Sequence, residues 1–117
     1  MQINNALASV AVKNVDASAK WYEQLLNRPS SRPMASLAEW RFDRGGGLQV
    51  YQLPDRAGSG SFTLVVSSVE EIITHLQKLG VDVSNRTANE QVRTVMITDP
   101  DGNHIAFAEA LDPRLAH

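Results

Sequence analysis

Val10-Ala-Val-Lys-Asn-Val-Asp16 lies over Leu64-Val-Val-Ser-Ser-Val-Glu70 at an offset of about 54 residues, and both stretches run on into helical spacing. Further along, the offset drifts to about 57, where Leu48-Gln49-Val50-Tyr51 pairs with Ile105-Ala106-Phe107-Ala108, each run following a Gly-rich or Gly-Asn turn. The order of elements agrees between the halves, so the chain reads as one module made twice.

In each half a short alternating run comes first. Leu7 to Val12 puts Val10 and Val12 on one face, and Ser61 to Val66 puts Phe62, Leu64 and Val66 on one face, the period of a strand buried on one side. A helix follows each. Asn14 is placed to cap the first, and Ser68 with Glu71 forms a capping box for the second. Ala19, Trp21, Tyr22, Leu25 and Leu26 give the first helix its apolar stripe; Val69, Ile72, Ile73, Leu76 and Leu79 give the second its own, and Gly80 stops it.

Strands then return. Ser36 to Asp43 and Leu48 to Leu53 flank the hairpin connection Arg44-Gly-Gly-Gly47, while Thr94 to Thr98 and His104 to Glu109 flank Asp99-Pro-Asp-Gly-Asn103. Segments 30–35 and 81–90 each predict a short irregular strand, the first restricted by Pro29 and Pro33. Pro54 to Gly60, rich in Gly and Pro, reads as the linker. The fold class is α+β: two tandem βαβββ modules, about 1–54 and 60–112 of a single 1–117 domain, forming concave mixed sheets with helices on the outer face and the other face open.

Composition narrows what such sheets do. The 117 residues suffice for one ordinary domain, and 43% hydrophobic with 21% charged residues excludes disorder, collagen and coiled coil. A net charge of -2, from 11 basic against 13 acidic residues, supplies no field for nucleic acid. The absence of cysteine excludes thiol nucleophiles, disulfides, zinc ribbons and iron–sulfur clusters. With neither a membrane-spanning run nor a signal-peptide pattern, the expected location is cytoplasmic and no membrane partner is expected. Histidines are scarce: His75, His104 and the terminal His117.

Ile97-Thr-Asp-Pro-Asp-Gly-Asn-His-Ile-Ala-Phe-Ala108 resembles the closing strand pair of the vicinal oxygen chelate superfamily, which includes glyoxalase I, bleomycin-resistance proteins and extradiol dioxygenases. Val10 to Tyr22 resembles its first strand and helix, with Ser18 ahead of the aromatic pair Trp21-Tyr22. The resemblance covers nearly the whole chain and implies a homodimer with ligand sites lined by concave sheets. In metal-using members it implies a His on the first strand of each module and a Glu near the last. Residue by residue those positions fall on Leu7, Ser61, Gln49 and Ala106, and the neighbours Ala6, Ala8, Leu48, Val50, Gly60, Phe62, Ile105 and Phe107 supply no replacement. No metal and no cofactor are therefore expected. A site assembled from Glu39, Gln49, His104 and Glu109 would be a new arrangement with one imidazole.

Alternation nominates the open-face residues. With Val10, Val12, Leu48, Val50, Phe62, Leu64, Ile105 and Phe107 turned to the helices, as Trp40 and Phe42 are, the candidate ligand-binding residues are Ser9, Glu39, Arg41, Gln49, Tyr51, Ser61, Thr63 and His104. Each has a plainer role: Arg41 paired with Glu39, Tyr51 packed on the sheet or in a dimer contact, His104 exposed after a turn. The triple glycine joins two strands and is no phosphate loop, and Asp99 and Asp101 belong to a turn. The function expected is binding of a small organic molecule by a metal-independent homodimer, in the manner of the drug-sequestering relatives. The alternatives are a lyase, isomerase or dioxygenase with displaced ligands, metal-free acid–base catalysis by Glu39 or His104, and a dimeric interaction module without a ligand.

Overall fold

Asn14 leaves the first strand in extended backbone (φ -140°, ψ 109°), and its side-chain oxygen accepts the Ala17 N–H at 3.1 Å. One donor freed at the helix start is thereby satisfied, and the helix begins there. Ser68 repeats the device, its hydroxyl oxygen accepting the Glu71 N–H at 3.2 Å. The computed structural model describes residues 1–111; His117 and position 112, the expected end of the second module, lie outside them.

The chain runs β1 (Leu7–Val12), α1 (Val15–Leu26), β2 (Ser31–Met34), β3 (Leu37–Arg41), β4 (Gly47–Gln52), a short 3-10 turn (Pro54–Arg56), β5 (Ser61–Val65), α2 (Val69–Lys78), β6 (Arg86–Ala88), β7 (Val92–Thr98) and β8 (His104–Ala110). Two four-stranded mixed sheets result, in the orders β1-β4-β3-β2 and β5-β8-β7-β6. The pairs β1–β4 and β5–β8 are parallel and the others antiparallel, so the two βαβββ modules share one topology. Pro33 lies in β2, an edge strand, where its missing N–H leaves no gap in the ladder. The strand expected over Ser36 to Asp43 is shorter, because Phe42 and Gly46 already close the hairpin loop with a 3.1 Å bond. No helix among the described residues is long and apolar enough to cross a membrane.

By contacts the described residues divide into two units, one of Met1–Gly60 with Pro100–Asn103, the other of Ser61–Asp99 with 104–111. In the first, α1 lays Val15, Ala19, Tyr22 and Leu25 against the buried side of the sheet, where Val10, Val12, Trp40, Leu48 and Val50 are buried. Trp40 Nε1 donates to the Arg28 carbonyl at 3.1 Å, so its burial leaves no donor unmatched. In the second, Val69, Ile73 and Leu76 of α2 belong to a core with Phe62, Val95, Ile97, Ile105 and Phe107. Leu79, expected in that stripe, is 38% exposed because it occupies the helix C-cap. Gly80 beyond it has φ 75°, and the bonds Gly80 N–H to Gln77 C=O and Val81 N–H to Leu76 C=O close the helix end.

The repeat extends into side-chain detail. The Gln52 Oε1 atom at the end of β4 accepts the Val15 N–H at 3.0 Å, and Glu109 Oε1 near the end of β8 accepts the Val69 N–H at 2.9 Å. Each sheet thus caps its own helix. The Asp99–Asn103 turn acts differently. Asn103 is fully buried; its Oδ1 accepts the N–H groups of Gly58 (3.1 Å) and Gly60 (2.8 Å), and its Nδ2 donates to the Ala11 carbonyl at 3.0 Å. Asp101 Oδ2 accepts the Lys13 N–H at 3.0 Å. The linker is therefore clasped to β1 by polar groups that are satisfied where water is excluded. Gly58 is required there: its φ is 92°, and a Cβ would lie 2.4 Å from the Asp101 carbonyl oxygen.

Candidate functional site

Three rows cross the side of the first sheet turned away from α1. Register places Leu7, Gly47 and Arg41 in the first, Ser9, Gln49, Glu39 and Ser31 in the second, and Ala11, Tyr51 and Leu37 in the third. Residues one step away in sequence, Val10, Leu48, Val50, Ala38 and Trp40, are buried on the other side, as alternation demands.

The second row is wired together. Ser9 Oγ donates to Gln49 Oε1 at 3.1 Å, Gln49 Nε2 donates to Glu39 Oε2 at 2.9 Å, and Arg41 Nε donates to Glu39 Oε1 at 2.8 Å. The Glu39 side chain is only 11% exposed, whereas that of Arg41 is 62% exposed. The Gln49 hydrogen bond first, and that of Arg41 second, hold the Glu39 carboxyl below the usual carboxylate range, against the opposing effect of its burial. Glu39 is ionised at neutral pH, and the pair carries no net charge.

Gly47 shapes the first row. A Cβ there would stand 2.6 Å from the Trp40 carbonyl oxygen, 2.8 Å from Leu7 Cδ2 and 3.5 Å from Arg41 Cδ. The Leu7 side chain and the aliphatic stem of Arg41 therefore approach each other over a position that only glycine leaves open. This was hidden in the sequence, where the triple glycine registers as a turn; register against Leu7 and Arg41 is the signal that reveals it.

The same rows on the uncovered side of the second sheet read Ser61, His104 and Thr98; Thr63, Ala106 and Met96; and Val65, Ala108 and Thr94. Val65 is 65% exposed, His104 is exposed, and Asp82, Asn85, Met96, Thr98 and His104 line a shallow recess. Of the eight residues nominated from sequence, Ser9, Gln49 and Glu39 share the middle row and Arg41 joins them by its hydrogen bond from the first row, Tyr51 lies in the third row, and Ser61, Thr63 and His104 occupy the second sheet. Glu109 lies on the α2 side of its own sheet, where it accepts the Val69 N–H.

The donor set does not fit a divalent metal. The positions the superfamily pattern gives to two imidazoles and two carboxylates hold an isobutyl group, a hydroxyl, an amide and a methyl group, at Leu7, Ser61, Gln49 and Ala106. The two modules match in register, since Leu7 lies two residues before Ser9, the β1 partner of Gln49, as Ser61 lies two residues before Thr63, the β5 partner of Ala106. Among the described residues no three or more His, Asp or Glu side chains gather closely enough to hold a metal ion.

No protein-family model matches the chain, and no curated protein sequence does. Solved structures do. The antibiotic-binding protein TnmS3 from Streptomyces sp. CB03234 superposes with a TM-score of 0.80 at 23% identity, covering 94% of this chain and 98% of its own. Lactoylglutathione lyase from Agrobacterium tumefaciens superposes with a TM-score of 0.76 at 16% identity, covering 93% and 95%. Both share the fold. A glyoxalase/bleomycin resistance protein from Catenulispora acidiphila DSM 44928 reaches a TM-score of 0.81 at 31% identity, covering 92% of this chain and 98% of that one. With the module repeat, the closing Asp-Pro-Asp-Gly-Asn turn and this likeness over nearly all of both chains, the protein belongs to the glyoxalase/bleomycin resistance family, within the vicinal oxygen chelate superfamily.

Proposed function

We propose that this protein binds a small organic molecule on the open face of its first sheet without a metal, as a homodimer that sequesters its ligand rather than transforming it. The observation that carries the reading is the donor set: Leu7, Ser61, Gln49 and Ala106 stand where metal ligands would. A half-buried polar row with apolar neighbours has the composition of a small-molecule site. The fold shared with TnmS3, an antibiotic-binding protein, supports sequestration. Catalysis by Glu39 is disfavoured by its own surroundings, because a carboxylate with both oxygens engaged and a lowered pKa is a poor proton acceptor near neutral pH.

The test is the metal content of natively purified protein by elemental mass spectrometry, followed by thermal shift with manganese, iron, nickel and zinc. The expected result is no stoichiometric metal and no rise in melting temperature. A stoichiometric metal that stabilises the fold overturns the reading in favour of a metal-dependent lyase or dioxygenase. Sedimentation equilibrium checks the homodimer, with a mass of two chains expected and that of one chain refuting it.

A further inference from the structure

The polar row of the first sheet has a direction. Hydrogen bonds pass from Ser9 through Gln49 to one oxygen of Glu39, and Arg41 Nε takes the other oxygen. Each carboxylate oxygen is engaged and the side chain is 11% exposed, so Glu39 has little to offer a ligand. Arg41 is the reverse. Its side chain is 62% exposed, only its Nε–H is used, and among the described residues its Nη1 and Nη2 groups have no hydrogen-bond partner. Those two nitrogens form the end-on fork of the guanidinium, which matches a carboxylate with two parallel N–H···O bonds.

The sheet does not need this arrangement in order to form. At the equivalent positions the second module has Thr63, Ala106, Met96 and Thr98, and it builds the same four-stranded order and register without an ion pair. With the Arg41 side largely in solvent, the ion pair contributes little to stability. What the row does achieve is to fix the direction of one arginine, removing rotamer freedom that a ligand would otherwise have to remove on binding. Beside that fork, Leu7 and the Arg41 stem converge over Gly47, an apolar surface next to a cationic edge.

We infer that Arg41, held by Glu39, anchors an anionic head group, and that the first sheet takes a small organic monocarboxylate with an apolar body. The inference rests on the reading above that this face binds a small molecule, and it names the class. A cationic ligand is disfavoured because the carboxylate it would seek is already bonded. A doubly charged anion is disfavoured because Glu39 already neutralises Arg41, so the fork can bond one carboxylate while a second negative charge meets only the repulsion of the Glu39 carboxylate.

The experiment is a titration of isotope-labelled protein followed by two-dimensional NMR, with three probes of one shape and different charge: benzoate, benzamide and benzylammonium. Benzoate is expected to move the amide signals of β3 and β4, with the other two binding at least about tenfold more weakly. In Arg41→Gln the benzoate affinity should fall at least about tenfold, to the level of benzamide, and Arg41→Lys should fall between, keeping the charge but losing the fork. Equal binding of benzamide, stronger binding of benzylammonium, or an unchanged benzoate affinity in Arg41→Gln overturns the anchor while the binding face survives. If none of the three probes moves those signals, the anchor and the binding face both fall. The comparison of probes on the unaltered protein does not depend on the variants folding.

Discussion

Across β1, β4 and β3 the middle row reads Ser9, Gln49, Glu39; across β5, β8 and β7 it reads Thr63, Ala106, Met96. On the helix-facing sides the modules agree closely: Val10 answers Leu64, Val50 answers Phe107, Asn14 answers Ser68, and Gln52 answers Glu109 as the group that caps its own helix. Packing and capping hold those positions, because a change there leaves a cavity or an unmatched donor. Nothing of that kind holds the open faces, and there the copies have diverged into a middle row wired by hydrogen bonds and one of Thr63, Ala106 and Met96. The second module thus serves as an internal control for the first: whatever the first face has and the second lacks is not needed to build the sheet.

The largest departure from the repeat lies in the hairpin turns. Asn103 clasps Gly58, Gly60 and Ala11 from full burial, whereas the first module's turn is held by Asn5, whose exposed side-chain oxygen accepts the Gly46 N–H. Asn103→Ala should cost about 3 kcal/mol or more in urea unfolding, with the Gly58 and Gly60 amides losing protection from hydrogen exchange, while Asn5→Ala should cost no more than about 1 kcal/mol. Equal effects would remove the distinction between the turns. Gly47→Ala should cost about 2 kcal/mol, since the new methyl group meets a backbone carbonyl, yet His104→Ala at the matching position of β8 should lie within about 0.5 kcal/mol of the parent.

A smaller effect sharpens the same contrast through pH. The Glu39 carboxyl is held low chiefly by Gln49 and then by Arg41, so folding favours its ionised form. The stability this provides is complete above the unfolded carboxylate value, about 4.3, and is lost as pH falls through the lower folded value. In acid titrations of urea stability, the parent should lose more than Glu39→Gln below about pH 5. Parallel titration curves would show that the wiring of the row does not act on Glu39.

Much of this was legible in the residues. Periodicity at Val10 and Val12, the caps at Asn14 and Ser68, and the glycine stop at Gly80 are local signals, and the elements start or stop where those signals stand. Alternation also sorted Glu39, Arg41, Gln49 and Ser9 onto one side of the sheet. What escaped depends on register between distant strands. The helix-capping roles of Gln52 and Glu109, the buried clasp of Asn103 and the gap at Gly47 each require knowing which residues of another segment lie opposite, and no local pattern encodes that. Leu79 fits the helical stripe yet stands exposed at the cap, because periodicity does not encode where the helix ends.

The central claim, that the polar row serves binding rather than folding, is tested most directly by giving the first face the residues of the second. The variant combines Ser9→Thr, Gln49→Ala, Glu39→Met and Arg41→Thr, and its urea unfolding and benzoate titration are measured side by side with the parent. The account predicts cooperative unfolding within about 1 kcal/mol of the parent, with benzoate binding lost. Loss of cooperative unfolding, or benzoate binding that survives intact, would contradict it.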